Sequence, residues 1–418
     1  MTAAENFRVA LVLRDAIFAS ENWADVEGEL RRRDCSIEAV RQALKPRIGF
    51  DPHNHTIHSD GALSYRQLLW WCKAVGLPAI GVTDHDNIHP SIGDAIEEAN
   101  ELGLRLAPGL EMTLNRLGGD KWKGLEINLH FFPGEAFARF IRSDAGAEFC
   151  ERFRAARENK SKQGWASREL VNEKMMKPWG LRPIEEDELW LHSGKTDPVC
   201  SSTLTIIILD RFFEEDRMDL FEKMPNTREI YTHMQKNDMV PAVGSSEQTL
   251  DDVIAIREEL RRQGIRSTAT LNHPEEWLSK CGLRLEDGTP DIPAIRRLVA
   301  LLLLHDPVRC PFHFLELYSG RSSNETRRLF RELADAFEAL RESAFPQLAP
   351  LHPIAATDSH RITGLLDDQH RIRMWVPGED FLFGMGLIDE AHPDGNLYVP
   401  ENYPDADSIL RRMEAMAC

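Results

Sequence analysis

The sequence predicts an α/β protein built on a parallel sheet or barrel, with a helical extension at its N-terminus and a helical subdomain inserted midway. Three observations carry this. Seven short apolar runs of strand length follow residue 47. Segments of helical period separate most of them, which is the alternation of a parallel α/β architecture. Nine potential metal ligands stand at or near the ends of six of the runs, where α/β barrels collect functional residues.

Residues 1–47 read as helical and contain none of the ligand motifs. Val9, Leu11, Val12, Leu13, Ile17 and Phe18 fit one or two helix faces. A second helix is expected over 23–30, and a third begins at Ser36 as N-cap. The strand-like runs are 48–52, 79–83, 104–110, 125–129, 267–271, 312–317 and 353–356. Helical patterns over 65–75 and 90–102 follow the first and second. The interval between the fourth and fifth runs is too long for a loop. It has helical stretches near 136–162, 201–213 and 250–263, together with Trp165, Trp179 and Trp190. The expected organisation is therefore an N-terminal extension (1–47), a barrel with a C-terminal tail (48–134 and 246–418), and a helical insertion (135–245) placed as a lid. The tail carries Trp375, Phe381, Phe383 and Tyr398, enough apolar surface to pack on the barrel.

The 418 residues can bury a large core, and 42% hydrophobic with 28% charged residues is ordinary globular composition. The formal net charge is −18, which disfavours a partner that is a long polyanion. Seven cysteines, an odd number without C-x-x-C spacing, argue for a reducing compartment. The N-terminal residues lack signal-peptide character, and the longest apolar stretch, 298–304, is too short for a bilayer. The expectation is a cytoplasmic protein without membrane segments.

The chemistry sits at the run ends. The first run leads into His53 and His55, with Asp60 beyond; the second into Asp84-His85-Asp86; the third into Glu111. His130 follows the fourth run, His273 the fifth, and Asp358 and His360 the seventh, while the sixth contains Glu316. Strand residues two apart share a face, so His53/His55 and Asp358/His360 can each aim two ligands at one centre. Taken singly, each of these residues is most simply a core, turn or capping group. Their conjunction in chain order is what points to metal. His58, His89, His313 and His352 are expected to be supporting or surface residues.

The ordered motifs are His53-Asn54-His55-Thr56-Ile57-His58-Ser59-Asp60-Gly61, Thr83-Asp84-His85-Asp86, Gly109-Leu110-Glu111, His130, His273-Pro274 and Asp358-Ser359-His360. On these residues the chain resembles the PHP (polymerase and histidinol phosphatase) superfamily of metal-dependent phosphoesterases. The resemblance implies a distorted (β/α)7 barrel and three divalent transition-metal ions, Mn, Fe or Zn by donor type. It places His53, His55, Glu111 and Asp358 on one ion; Glu111, His130 and His273 on a second; and Asp60, His85 and His360 on a third. Asp84 would orient a ligand from behind.

The implied activity is hydrolysis of a small phosphomonoester, nucleotide-like by similarity to the nucleoside 3',5'-bisphosphate phosphatase branch. That branch also carries a helical insertion. Phosphodiester hydrolysis on short nucleic acid and amidohydrolase-like attack on a carbonyl are the alternatives. A segment beginning at Arg152 resembles the start of that insertion, and Arg157 is its candidate substrate-binding residue. Where the branch tends to carry a basic residue, this chain has 200–205, Cys-Ser-Ser-Thr-Leu-Thr.

Overall fold

The computed structural model describes residues 3–417 apart from 47, 116, 118–121, 123, 216, 218–226, 243–247, 319–323, 347, 361–364, 367–371 and 375–402. Trp375, Phe381, Phe383 and Tyr398 of the tail therefore lie outside the described residues.

All seven apolar runs are strands of one sheet, in sequential order: β1 (Phe50–Asp51), β2 (Ala79–Val82), β3 (Arg105–Leu114), β4 (Leu125–Phe132), β5 (Arg266–Leu271), β6 (Phe314–Tyr318) and β7 (His352–Ala355). The sheet curls into a nearly closed, distorted barrel. Just beyond the strand ends, Asn54 and Ser359 form a parallel bridge, with His55 N donating to Ser359 O at 2.9 Å. Below that bridge, Thr357 donates to the Asp51 carboxylate through both its amide and its hydroxyl.

One expectation fails. The sheet is not wholly parallel, because β4 runs antiparallel to both β3 and β5. The link between β3 and β4 is too short for a crossover helix, and Leu117 and Trp122 within it pair as in a hairpin. This reversal matters for the site. The start of β4, rather than its end, lies at the C-terminal rim of β3 and β5.

The helices follow the predicted spacing. Helix α4 (Tyr65–Val75) opens with a capping box, Ser64 and Gln67, and ends on Gly76 in the left-handed conformation. α5 (Ile92–Glu101) covers β3. The N-terminal helices α1 (Ala3–Phe18), α2 (Trp23–Arg32) and α3 (Ile37–Ala43) share one core with α4. Phe7, Leu11 and Leu30 are buried in the same apolar cluster as Leu68 and Trp71.

After β4 come α6 (Gly134–Ile141), α7 (Asp144–Glu151) and α8 (Arg154–Val171), with a π-helical turn over Asn172–Met176. The phenylalanines of α6 and α7, Phe137, Phe140 and Phe149, join the barrel's core cluster. A second, separate core forms from Val171 onward. It packs α9 (Glu186–His192), α10 (Thr203–Glu214) and α11 (Thr227–Lys236) around Met175, Leu189, Ile208, Phe212 and Met234. Helix α12 (Leu250–Arg262) returns the chain to β5, α13 (Pro274–Lys280) and α14 (Ile292–Leu304) lead to β6, and α15 (Asn324–Ala344) leads to β7.

A short hairpin, β8 (Leu365–Leu366) and β9 (Ile372–Met374), follows. The last helix, α16 (Ala406–Met416), closes the end of the barrel opposite the ligands. There Ile409, Leu410 and Met413 pack on Phe50, Ala79, Phe132 and Phe314. No described helix is long and apolar enough to cross a membrane.

Candidate metal centre

The loop after β1 carries the densest set of donors. Four hydrogen bonds to one buried carboxylate shape it. Asp84 accepts from Thr56 N at 2.7 Å, Thr56 Oγ1 at 2.8 Å, Ser59 Oγ at 2.6 Å and Tyr65 Oη at 3.2 Å. Gly61 lets the loop fold back on itself, since a Cβ there would meet the His55 carbonyl oxygen at 2.3 Å. Gly109 serves β3 in the same way, its Cα lying too close to Leu129 O for a side chain. Two ligand candidates, His273 and Asp358, have positive φ, 46° and 52°. This left-handed backbone turns them inward at the strand ends.

The side chains converge. His53 Nε2 and His55 Nε2 face each other at 3.1 Å. Asp358 Oδ1 lies 3.0 Å from His55 Nε2 and 3.4 Å from His53 Nε2. Glu111 reaches four imidazoles, with His53, His55 and His273 at 3.3 Å and His85 at 2.9 Å. His360 Nε2 is 3.4 Å and His85 Nε2 3.8 Å from Asp60 Oδ1. His55 stacks between the His85 and His360 rings, with centroids 4.3 Å away on either side. Donors about 2.0–2.2 Å from a shared ion stand roughly 3–3.5 Å apart, which is the spacing seen here.

Buried Asp60 Oδ1, Glu111 Oε2, His273 Nδ1 and Glu316 Oε1 make no hydrogen bond among the described residues. Such orphaned groups are costly unless an ion takes them. The donor set fits divalent metal binding. Described residues whose ligand atoms lie close enough to share an ion include the groups His55/Asp60/His85/His360, His53/His55/Glu111 and His53/His273/Glu316.

The electrostatics agree. Burial pushes His55 down to about 4, aided by His360 and His85, so it stands as a neutral ligand. Burial opposes charge on His53 as well, but Glu111, Asp358 and Glu316 outweigh it and hold that ring well above its usual range. His85 is raised to about 9; burial works against this, and Glu111 and Asp60 overcome it. Burial disfavours the ionised form of Asp60 too, yet His360 and His85 hold it well below the usual carboxylate range. Ion binding at these groups would displace protons from the imidazoles.

The structure separates the sequence-predicted residues. His53, His55, Asp60, His85, Glu111, His273, Asp358 and His360 come together. His130 does not, and this corrects the expectation that it is a ligand. It sits toward the end of the reversed strand β4, below the cluster, where its Nε2 is 2.7 Å from the Pro52 carbonyl across the barrel. Asn128 occupies the place opposite Glu111 instead. Arg157 fastens α8 to the loop after β2, its Nη1 donating to Asn87 Oδ1 and to Cys150 O, each at 3.1 Å. His58 and His89 stack face to face at 3.9 Å beside Tyr65, outside the cluster. His313 accepts from Ala269 N within the sheet.

Two residues were missed. Glu316 lies 2.8 Å from His53 Nδ1 and 3.6 Å from His273 Nδ1. Its hydrogen bond sets the His53 ring so that Nε2 faces Glu111 and Asp358. Its signal was a carboxylate in the middle of a buried apolar run, Phe-Leu-Glu-Leu-Tyr. Glu126, at the start of β4, comes near Glu111 and His273 but pairs with Lys280 at 2.8 Å.

Residues 51–175 match the family model of the PHP domain. A 5'-3' exoribonuclease of Haemophilus influenzae is 34% identical over 80 residues, which cover 19% of this chain and 27% of that protein. The chain thus spans only about a quarter of that relative's length. Among solved structures, an amidohydrolase from Chromobacterium violaceum, with sulfate bound and no metal, superposes with a TM-score of 0.51. It is 16% identical, covering 88% of this chain and 97% of that one. A proposed metal-dependent phosphoesterase of Bifidobacterium adolescentis gives 0.49 at 17% identity, covering 89% and 97%. The motifs in order, the seven-stranded barrel and the ligand cluster at its rim agree with this match, which identifies a PHP domain over residues 51–175.

Proposed function

We propose that this protein is a metal-dependent phosphoesterase that hydrolyses a small phosphomonoester, nucleotide-like in character. The observation that carries the proposal is the bridging position of Glu111, whose two oxygens reach imidazoles of both halves of the cluster. A carboxylate so placed would be shared between two ions. Three ions of the Mn, Fe or Zn type suit the donors. His53, His55 and Asp358 would hold one, with Glu111 shared. His273 would contribute to a second, and Asp60, His85 and His360 would hold the third. When bound, divalent ions would lower the pKa of a water and neutralise charge on phosphoryl oxygens. The chain's own part is to fix the donors rigidly: Glu316 orients His53, Asn272 donates to Glu111 Oε1 at 2.7 Å, and Asp84 fixes the loop bearing Asp60.

A second reading is a phosphodiesterase on short nucleic acid. It is favoured by the 80-residue match to the exoribonuclease. The −18 charge argues against extended polyanions, whose affinity comes from Lys and Arg contacts. Release of inorganic phosphate by Mn-loaded protein is the test. The panel is nucleoside mono- and bisphosphates, sugar phosphates, histidinol phosphate and a short 5'-phosphorylated RNA. Release from one class of monoester supports the proposal. Release of nucleotides from RNA alone favours the second reading. Inactivity on every phosphoester, with metal bound, defeats both and leaves carbonyl substrates.

A further inference from the structure

Helix α8 carries a cation to the mouth of the ligand cluster. Lys160 stands one helical turn beyond Arg157, and its Nζ donates to the backbone carbonyl of His85 at 3.2 Å. The ring of that same His85 is 2.9 Å from Glu111. The backbone around Lys160 is pinned. Ser161 Oγ donates to Asp197 Oδ1 at 2.8 Å and accepts from Val199 N at 3.0 Å. Gly164 brings the helix against Val199, where a Cβ would meet the carbonyl oxygen at 2.1 Å. The thiol of Cys200 donates to Ser59 O at 2.6 Å, next to Asp60. The lysine's position is therefore set by the barrel on one side and the insertion on the other.

An ammonium has three donors. Here one goes to a neutral carbonyl, and no carboxylate among the described residues lies within ion-pair distance of Nζ. A cation near several acidic ligands that pairs with none of them is placed to receive an anion.

We propose that Lys160 is a substrate-binding residue whose ammonium takes a non-bridging oxygen of the phosphoryl group seated at the ligand cluster. This rests on the phosphoesterase reading above. A terminal phosphate carries one more charge than a diester. Lys160 therefore favours monoesters over diesters, by a charge-assisted hydrogen bond that a diester uses less fully.

The test compares wild type, Lys160→Met and Lys160→Arg, each loaded with metal and checked for metal content and melting temperature. Inorganic phosphate binding is measured by calorimetry, and KM and kcat on a monoester and a diester. The expected result is phosphate affinity lowered on the order of 10–100-fold in K160M. The monoester KM rises more than the diester KM, metal content and melting temperature are unchanged, and K160R recovers most of the loss. Wild type that binds phosphate and turns over, with K160M indistinguishable from it, overturns the role of Lys160 alone. A K160M defect that follows lowered melting temperature, is equal for both ester types and is not recovered by K160R also overturns it, leaving a structural tether. Wild type that neither binds phosphate nor hydrolyses any phosphoester overturns the phosphoesterase reading, and the role of Lys160 with it.

Discussion

Glu316 Oε2 lies 2.8 Å from Nδ1 of His53, and this contact determines which nitrogen of His53 faces the cluster. With Nδ1 engaged, Nε2 points at His55, Glu111 and Asp358. Removing a buried carboxylate behind a metal-binding histidine typically costs 10–100-fold in affinity. Glu316→Ala should therefore weaken the ion held by His53 by about that factor. Chelator competition measures it, and an unchanged affinity would show that Glu316 only fills space.

His130 tests the corrected geometry. His130→Leu should leave metal content at the wild-type value. It should lower stability by about 1–3 kcal/mol, because the buried Pro52 carbonyl loses its partner. Elemental analysis and denaturant unfolding read the two effects separately. Loss of an ion in H130L would return this residue to the ligand set.

Asp84 is the acceptor on which the loop from Thr56 to Ser59 is hung. Asp84→Asn keeps the volume, but one of the two oxygens becomes a donor facing donors. We expect about 2–4 kcal/mol of lost stability. The ion nearest Asp60 should weaken more than the one nearest His53. Calorimetric melting together with metal titration would check this, and a variant as stable as wild type would contradict it.

Asp210, on α10, gives a pH dependence away from the ligands. Burial pushes its carboxyl up to about 6, only partly offset by Arg14 of α1. A raised acid makes the folded state bind the proton more tightly. Its contribution is full below the unfolded value near 4 and is lost as pH rises through about 6. Asp210→Asn should remove this loss, raising stability at pH 8 relative to wild type by about 3 kcal/mol at most. The two should converge near pH 4. Parallel melting curves for both proteins across that range would contradict the assignment.

Much of this was legible in the chain. The strands declared themselves as apolar runs, and the ligand pairs as residues two apart at their ends. What was not legible depends on direction and distance. His130 looked like a ligand because β4 was read as parallel; its reversal follows from a link too short for a helix, a signal present but weighed too lightly. Asn128 and Glu126 share its face and stand nearer the rim for the same reason. Glu316 was visible only as a charged residue in an apolar run, a pattern that also fits a structural ion pair. Lys160 could not be found from spacing at all, because its partner His85 lies 75 residues away and on a different element.

The most direct test of the account is the metal stoichiometry of the purified chain, wild type beside His53→Ala and His85→Ala. The geometry predicts more than one ion per chain, approaching three. His53→Ala should lose ion from the group with His55, Glu111 and Asp358, and His85→Ala should lose ion from the group with Asp60 and His360. A wild type that binds no ion, or a single ion lost equally in both variants, would contradict a multi-ion centre.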